Sequence, residues 1–344
     1  MNNATRLLVL VTLAGLVALI GILALSDNKS DPAVKHTYIE QEQTERIWVE
    51  QEFESVKLKV PLHEALYNPG PMKLRDDNIY IIDYGDMLLK RFSLDGELLN
   101  TIGLGRGQGP GELGTITDYY VRDSVVWIAD PDTRSVSMFT TEGTYLSRFT
   151  TPSPMPRITR LPNNNLVLMA MMNVDLFHEV DTTGELVRTF GELVMDQTQN
   201  AMALDGTFAP RDDGGFIYAP TYASYLYYYD ASGVFEKLVQ TIDRLKFPGT
   251  KSEEKGVGVA FFAPTSDIVI NNTSVHEGII YLHSKFTKKK IESGHLSVLD
   301  RYDLQTGSYI SSTRLPFPVR EAVVYGDRLY CSHDTTVTVL RFKG

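Results

Sequence analysis

The chain has 344 residues, a formal net charge of −10 at pH 7 and a sequence pI of about 5.2. An acidic balance without a long basic run argues against nucleic acid as a partner, because phosphate backbones are bound by basic surfaces. The single cysteine, Cys331, excludes an intramolecular disulfide and any CxxC metal or redox site.

The first 30 residues are typical of a targeting or anchoring segment. Arg6 precedes the charge-free run Leu7–Leu25, which as a helix would extend about 28 Å and span a bilayer core. The run is long for a cleaved signal, but Ala24-Leu25-Ser26 offers the small residues that a signal peptidase favours. We expect a membrane anchor or a cleaved, secreted form, and either places the rest of the chain outside the cytoplasm, on the periplasmic side. Residues 31–54 are polar, and we interpret them as a spacer.

A repeat of short apolar runs separated by turns organises the chain after residue 54. In Asn78–Gly103 three such runs alternate with a polar turn and an Asp-Gly turn, as in an antiparallel meander. Turn glycines recur at intervals of mostly about 40–50 residues, which predicts a six-bladed β-propeller over residues 55–344. These glycines are Gly96, Gly143, Gly184, Gly233, Gly307 and Gly344.

Two loops lengthen the later repeats, and one segment is expected to close the ring. Asp243–Asp267 is a charged, glycine-rich insertion, and Lys285–Ser293 extends a hairpin. The last unit supplies only three strands, which would leave an open edge. Alternating apolar residues in Ser55–Leu62 predict the missing outer strand. The predicted fold is therefore all-β, a six-bladed propeller preceded by an N-terminal hydrophobic helix.

The loop Gly103–Leu113 between units one and two is unusually rich in glycine. Its composition excludes a strand interior, and its backbone could approach an anion closely. It is not a P-loop, because no Gly-Lys-Ser/Thr sequence follows. Two interpretations stay open: a turn that packs one blade on the next, or a pocket-lining loop that presents Arg106 and Glu112.

Units one and two resemble the NHL-like six-bladed propellers of exported bacterial proteins. The resemblance rests on Gly105–Glu112, Ile128-Ala129-Asp130, Arg134 and Glu142-Gly143. It covers residues from about 45 to 344 and weakens in units three to five. It implies the fold and says little about function, because propellers host many unrelated activities.

The strand order predicts which residues surround one mouth of the central channel. If the innermost strand comes first, the loop before each unit and the turn between its second and third strands share one rim. The predicted ligand-binding rim consists of Asp83, Tyr84, Arg106, Glu112, Asp130, Arg134, Arg157 and Tyr222.

Side chains with metal-binding or catalytic chemistry form no clear constellation in the sequence. His283 and His333 occupy similar places in two units, but a zinc site needs a third ligand. Candidate oxygen ligands for calcium are Asp83, Glu112, Asp130 and Asn173. We predict no cofactor, keep calcium and zinc as alternatives, and assign no catalytic residue.

These observations favour an exported, membrane-tethered and non-enzymatic propeller that binds a small molecule or an envelope protein. The alternative is a metal-dependent hydrolase or lyase of the lactonase or NHL-lyase type. We expect a monomer.

Overall fold

The structure is a computed structural model that describes residues 37–58, 62, 65–170, 175–191, 201–247, 252–255, 258–261, 268–285, 297–333 and 335–343. The predicted helix at Leu7–Leu25 lies outside these residues. Among the described residues, no helix is long and apolar enough to cross a membrane.

The described chain folds into six blades of four strands each; β1 (Thr37–Ile39) adds a fifth strand to the sheet of blade four, and β2 (Phe53–Ser55) is one of the four strands of blade six. Blade one contains β3 (Pro69–Arg75), β4 (Asn78–Asp83), β5 (Leu88–Ser93) and β6 (Leu98–Ile102). Blade two contains β7 (Asp118–Arg122), β8 (Val125–Asp130), β9 (Ser135–Thr140) and β10 (Tyr145–Thr150). Blade three contains β11 (Arg157–Arg160), β12 (Leu166–Met169), β13 (Phe177–Val180) and β14 (Leu186–Phe190).

The second half of the chain continues the same order. Blade four contains β15 (Gly206–Pro210), β16 (Phe216–Pro220), β17 (Tyr225–Tyr229) and β18 (Phe235–Gln240), after the 3₁₀ turn Ala201–Leu204. The predicted insertion includes a separate hairpin of β19 (Ser252–Lys255) and β20 (Gly258–Phe261). Blade five contains β21 (Ile270–His276), β22 (Ile279–Ser284), β23 (Val298–Asp303) and β24 (Tyr309–Arg314). Blade six contains β25 (Glu321–Tyr325), β26 (Arg328–His333) and β27 (Thr336–Phe342), and is completed by β2.

The blades close into a ring, which confirms the predicted six-bladed propeller. The first strand of each blade contacts the first strands of both neighbours, and β25 of blade six contacts β3 of blade one. The outer strand of blade six is β2, which pairs with β27. The alternating pattern predicts this strand at Ser55–Leu62, of which residues 59–61 lie outside the described part of the chain, and the strand that pairs with β27 spans Phe53–Ser55. The difference follows from Phe53, whose ring packs against Phe342 with centroids 5.6 Å apart.

The hydrophobic core is divided among the blade interfaces. Each of six apolar clusters joins residues of two neighbouring blades. Between blades one and two, for example, Tyr80 and Ile82 pack with Tyr119 and Ile128. Full burial of a large apolar side chain stabilises a fold by about 1.5–3 kcal/mol, so each interface contributes separately to closing the ring.

The turn glycines explain the period of the repeat. Gly143 has φ of 94°, a conformation that residues with a Cβ rarely adopt. A Cβ added there would also come within 2.5 Å of the Thr101 carbonyl oxygen in blade one. The glycine therefore both forms the hairpin and lets one blade approach the next.

The segment before the closing strand lies along the outer edges of blades four and five. β1 pairs with β18, and Ile47 and Val49 hydrogen-bond to Ser312 of β24. Residues 38–54, which we call the belt, therefore pack on the propeller within the segment 31–54 that we interpret as a spacer. The buried Gln41 side chain explains its position, because its amide nitrogen donates to the Gln240 and Gly307 carbonyls at 2.9 and 3.0 Å.

Candidate functional site

The central channel contains a cavity of about 770 Å³ that is lined by the first strands of all six blades. We call the end at which these strands begin the mouth. The mouth is lined by Gly70, Tyr84, Asp118, Arg157, Asp205, Tyr222, Asn271, Arg320 and Glu321. The opposite end is lined by Arg75, Asp76, Asp77, Asp212, His276 and Tyr325.

Two ion pairs connect neighbouring blades at the mouth. The Lys73 ammonium lies 2.5 Å from an Asp118 carboxylate oxygen and joins blade one to blade two. The Arg157 guanidinium binds Asp205 through two hydrogen bonds of 2.8 Å and joins blade three to blade four. Asp118 also accepts the Ile158 N–H at 3.0 Å. Both pairs are held rigidly, because every partner has two or more contacts.

Glu321 is the third acidic residue of the mouth, and its surroundings differ. One carboxylate oxygen accepts the Met72 N–H of blade one at 2.9 Å. Burial raises the pKa of Glu321 to about 7, although the Met72 N–H, Arg157 and Lys73 act in the opposite direction. Nearby Asp118 adds to the rise. A carboxyl group with this pKa can exchange a proton at neutral pH.

Two tyrosines stand at the mouth. A Cβ added to Gly70 would lie only 2.4 Å from the Tyr84 ring, so this ring packs directly against the glycine. Burial, followed by the charge of Glu321, raises the pKa of Tyr84 to about 12. Burial and the charge of Asp205 likewise raise the pKa of Tyr222. Both phenols therefore stay neutral near pH 7 and can donate hydrogen bonds.

Of the eight predicted rim residues, the structure brings Tyr84, Arg157 and Tyr222 together around the cavity. Asp83 and Asp130 are fully buried beneath their loops. Burial opposes ionisation of Asp83, but hydrogen bonds from Lys90 and three backbone N–H groups lower its pKa. Asp130 likewise accepts the N–H groups of Gly114, Thr115 and Thr133. These two carboxylates hold loops and do not face the cavity.

The other three predicted residues also lie outside the cavity lining. Arg106 and Arg134 are exposed. The Glu112 carboxylate turns into its own loop and accepts the Gly109 N–H at 2.8 Å. Arg148 of β10 donates to the Gln108 and Glu112 carbonyls and fixes this loop to blade two. The geometry matches the interpretation of Gly103–Leu113 as a packing turn.

Potential metal ligands are dispersed. The described residues contain no group of three or more His, Cys, Asp or Glu side chains that could hold a metal ion. His283 is fully buried, and burial lowers its pKa to about 3. His333 instead hydrogen-bonds to Thr338 at 2.9 Å.

The sequence patterns do not identify the residues at the beginning of the first strands as site residues, notably Asp118, Asp205, Asn271 and Glu321. The repeat is most evident in the second strands, where the apolar signal is strongest. An acidic residue at the start of a short apolar run is the available signal, as in Asp118–Arg122 and Glu321–Tyr325.

No protein-family model and no curated protein matches the sequence. Solved structures match the fold. An exported protein from Bacteroides fragilis NCTC 9343 is 11% identical with a TM-score of 0.58, covering 89% of this chain and 98% of that one.

Two further structures match at similar levels. Virginiamycin B lyase from Staphylococcus aureus, a catalytically inactive variant with quinupristin, is 10% identical with a TM-score of 0.51, covering 86% of this chain and 100% of that one. The RRP9 WD40 repeats are 10% identical with a TM-score of 0.53, covering 85% and 100%. Because identities are this low, these matches establish the propeller fold alone, and the NHL-like resemblance is supported only at that level.

Proposed function

We propose that this protein is an exported binding propeller that holds a small polar molecule at the mouth of its channel. The observation that carries the proposal is the convergence of all six first strands on one cavity of about 770 Å³, with ionic side chains and two tyrosines at its mouth. A cavity of this size, with polar groups that converge at its mouth, suits a small polar ligand. The proposed contacts are Tyr84, Arg157, Tyr222 and Glu321.

Export and membrane tethering are part of the proposal. The charge-free run Leu7–Leu25 after Arg6 supports a membrane anchor. The similarity to a Bacteroides fragilis protein that is described as exported agrees with this location. We propose that the protein works as a monomer without a resident metal. Metal analysis of the purified protein by mass spectrometry should then find no stoichiometric calcium or zinc.

A lyase or hydrolase at the same mouth is the second candidate. Glu321 favours it, because its pKa of about 7 would let its carboxyl group accept or donate a proton near neutral pH. Similarity to a lyase adds only that the fold can host such a reaction. A stoichiometric metal whose removal lowers the melting temperature would favour this candidate over the binding protein.

The binding proposal is tested by removing the aromatic side chains of the mouth. Tyr84 and Tyr222 are only half-buried, so Tyr84→Ala and Tyr222→Ala should fold. We expect the double variant to bind at least tenfold more weakly any amine, carboxylate or sugar that shifts the wild-type melting temperature in a screen. The control is Tyr325→Ala, at the opposite end of the channel. Equal loss of binding in both variants would contradict a site at the mouth.

A further inference from the structure

The six blades are variations of one unit, so equivalent positions can be compared directly. Asp118 and Glu321 are each the first residue of a five-residue first strand, β7 and β25. Each carboxylate accepts a backbone N–H from the first strand of the following blade, Ile158 for Asp118 and Met72 for Glu321. The two acids therefore occupy equivalent places between blades.

The preceding blade completes only one of the two sites. In blade one, Lys73 lies two residues before the end of β3 and opposite Tyr80, and its ammonium pairs with Asp118. The equivalent residue of blade five is Ser274, two residues before the end of β21 and opposite Tyr281. A serine is too short to reach the next blade, so the place that the lysine ammonium fills beside Asp118 has no counterpart beside Glu321.

Two observations indicate that this place is open to a ligand. Ser274 and Glu321 line the same cavity. The Ser274 hydroxyl oxygen is buried and has no hydrogen-bond partner among the described residues, although most buried polar atoms in proteins have one. A group that entered between the two residues could therefore contact both the hydroxyl and the carboxylate.

The charged groups around Glu321 are already committed or lie too far away to pair. Lys73 and Arg157 are held by Asp118 and Asp205. Arg320 donates to Asn68 and to the Pro69 carbonyl at 2.9 and 3.0 Å. Lys285 lies near enough to influence Glu321 electrostatically, but in the described part of the chain no side-chain cation pairs with this carboxylate. The surroundings of Glu321 thus lack the neutralising positive charge that Lys73 provides beside Asp118.

We propose that the ligand of the mouth carries a protonated amine, which binds between Ser274 and the Glu321 carboxylate in the place that Lys73 occupies beside Asp118. The inference rests on the proposed binding function and specifies its ligand class. A buried carboxylate strongly favours a partner that neutralises it, and an ammonium also donates hydrogen bonds to both oxygens. Primary amines therefore suit the site better than carboxylates or sugars.

The test uses n-butylammonium, which is the side chain of lysine as a free molecule. Binding to the full chain is measured at pH 7.5 by calorimetry, with butyrate and 1-butanol as matched probes. We expect n-butylammonium to bind and the other two to bind at least tenfold more weakly. Glu321→Gln should weaken amine binding at least tenfold, whereas Asp212→Asn, at the opposite end of the cavity, should change it less than twofold.

A second variant supplies the missing lysine. Ser274→Lys should pair with Glu321, raise the melting temperature and abolish binding of n-butylammonium. It tests the proposal even if Glu321→Gln does not fold. Unchanged amine binding in folded Ser274→Lys, or no amine binding to the wild type, would overturn it. In another outcome, a different ligand binds more weakly to Tyr84→Ala and Tyr222→Ala but equally well to Ser274→Lys. That result would keep the proposed binding function and reject only the amine as the ligand class.

Discussion

The ionised form of Glu321 is unfavourable in the channel wall, because burial raises the pKa of this side chain to about 7. In the unfolded chain a glutamate has a pKa of about 4.3. At a pH between about 4.3 and 7, Glu321 is therefore protonated in the folded protein but ionised in the unfolded chain. Between these two values the folded state therefore holds more protons, and the stability that protonation contributes is lost as the pH rises.

This linkage predicts a pH-dependent stability difference between two proteins. From pH 4.5 to pH 7.5 the free energy of unfolding of the wild type should fall by roughly 1–3 kcal/mol relative to that of Glu321→Gln. Urea denaturation at several pH values measures the difference. Glu54→Gln, at an exposed position, is the control and should follow the wild type. Parallel curves for the wild type and Glu321→Gln would show that Glu321 titrates alike in both states.

At the scale of the structural element, local signals predicted the hairpins well. Positive φ at Gly96, Gly143 and Gly184 explains why the glycine period gave the correct number of blades. The mouth was harder to predict, because Asp83 and Asp130 stand at strand ends as binding residues would. Their buried hydrogen bonds to backbone N–H groups appear only in the folded loops. Glu321 depends on a contact with Met72, from the other end of the chain, which no local pattern contains.

The glycine-rich loop allows a direct comparison of its two interpretations. Glu112→Ala should lower the free energy of unfolding by about 1 kcal/mol, because the Gly109 N–H loses its acceptor. Arg106→Ala, on the same loop but exposed, should change it by less than about 0.5 kcal/mol. Thermal or urea unfolding measures both. Neither variant should alter ligand binding at the mouth, and a loss of binding in Arg106→Ala would restore the pocket-lining interpretation.

At the scale of the whole molecule, the belt links blades four, five and six along their outer strands. It pairs with the outer strands of blades four and five and continues into β2, the outer strand of blade six. The sequence did not predict this course, because the belt is polar and lacks a periodic apolar pattern. Besides backbone pairing, the belt is held by the side chains of buried Gln41 and partly buried Arg46.

Arg46 joins two carboxylates that belong to different parts of the chain. Its guanidinium lies 2.7 Å from Asp243, which follows blade four, and 2.9 Å from Asp300 of β23. Asp300 is almost fully buried, so removal of the arginine would leave two close carboxylates without a cation. Arg46→Ala should therefore lower the free energy of unfolding by about 3–5 kcal/mol, measured by urea denaturation at pH 7.5.

The control for the belt is Lys57→Ala, which removes an exposed charge just after β2 and should change stability by less than about 0.5 kcal/mol. If the belt contributes to closing the ring, Arg46→Ala should also make the Phe53–Ser55 strand more accessible to hydrogen exchange. Loss of the Arg46 ion pairs would then also weaken the more distant pairing of β2 with β27. Wild-type stability in Arg46→Ala would mean that the ring is closed by β2 and the blade interfaces alone.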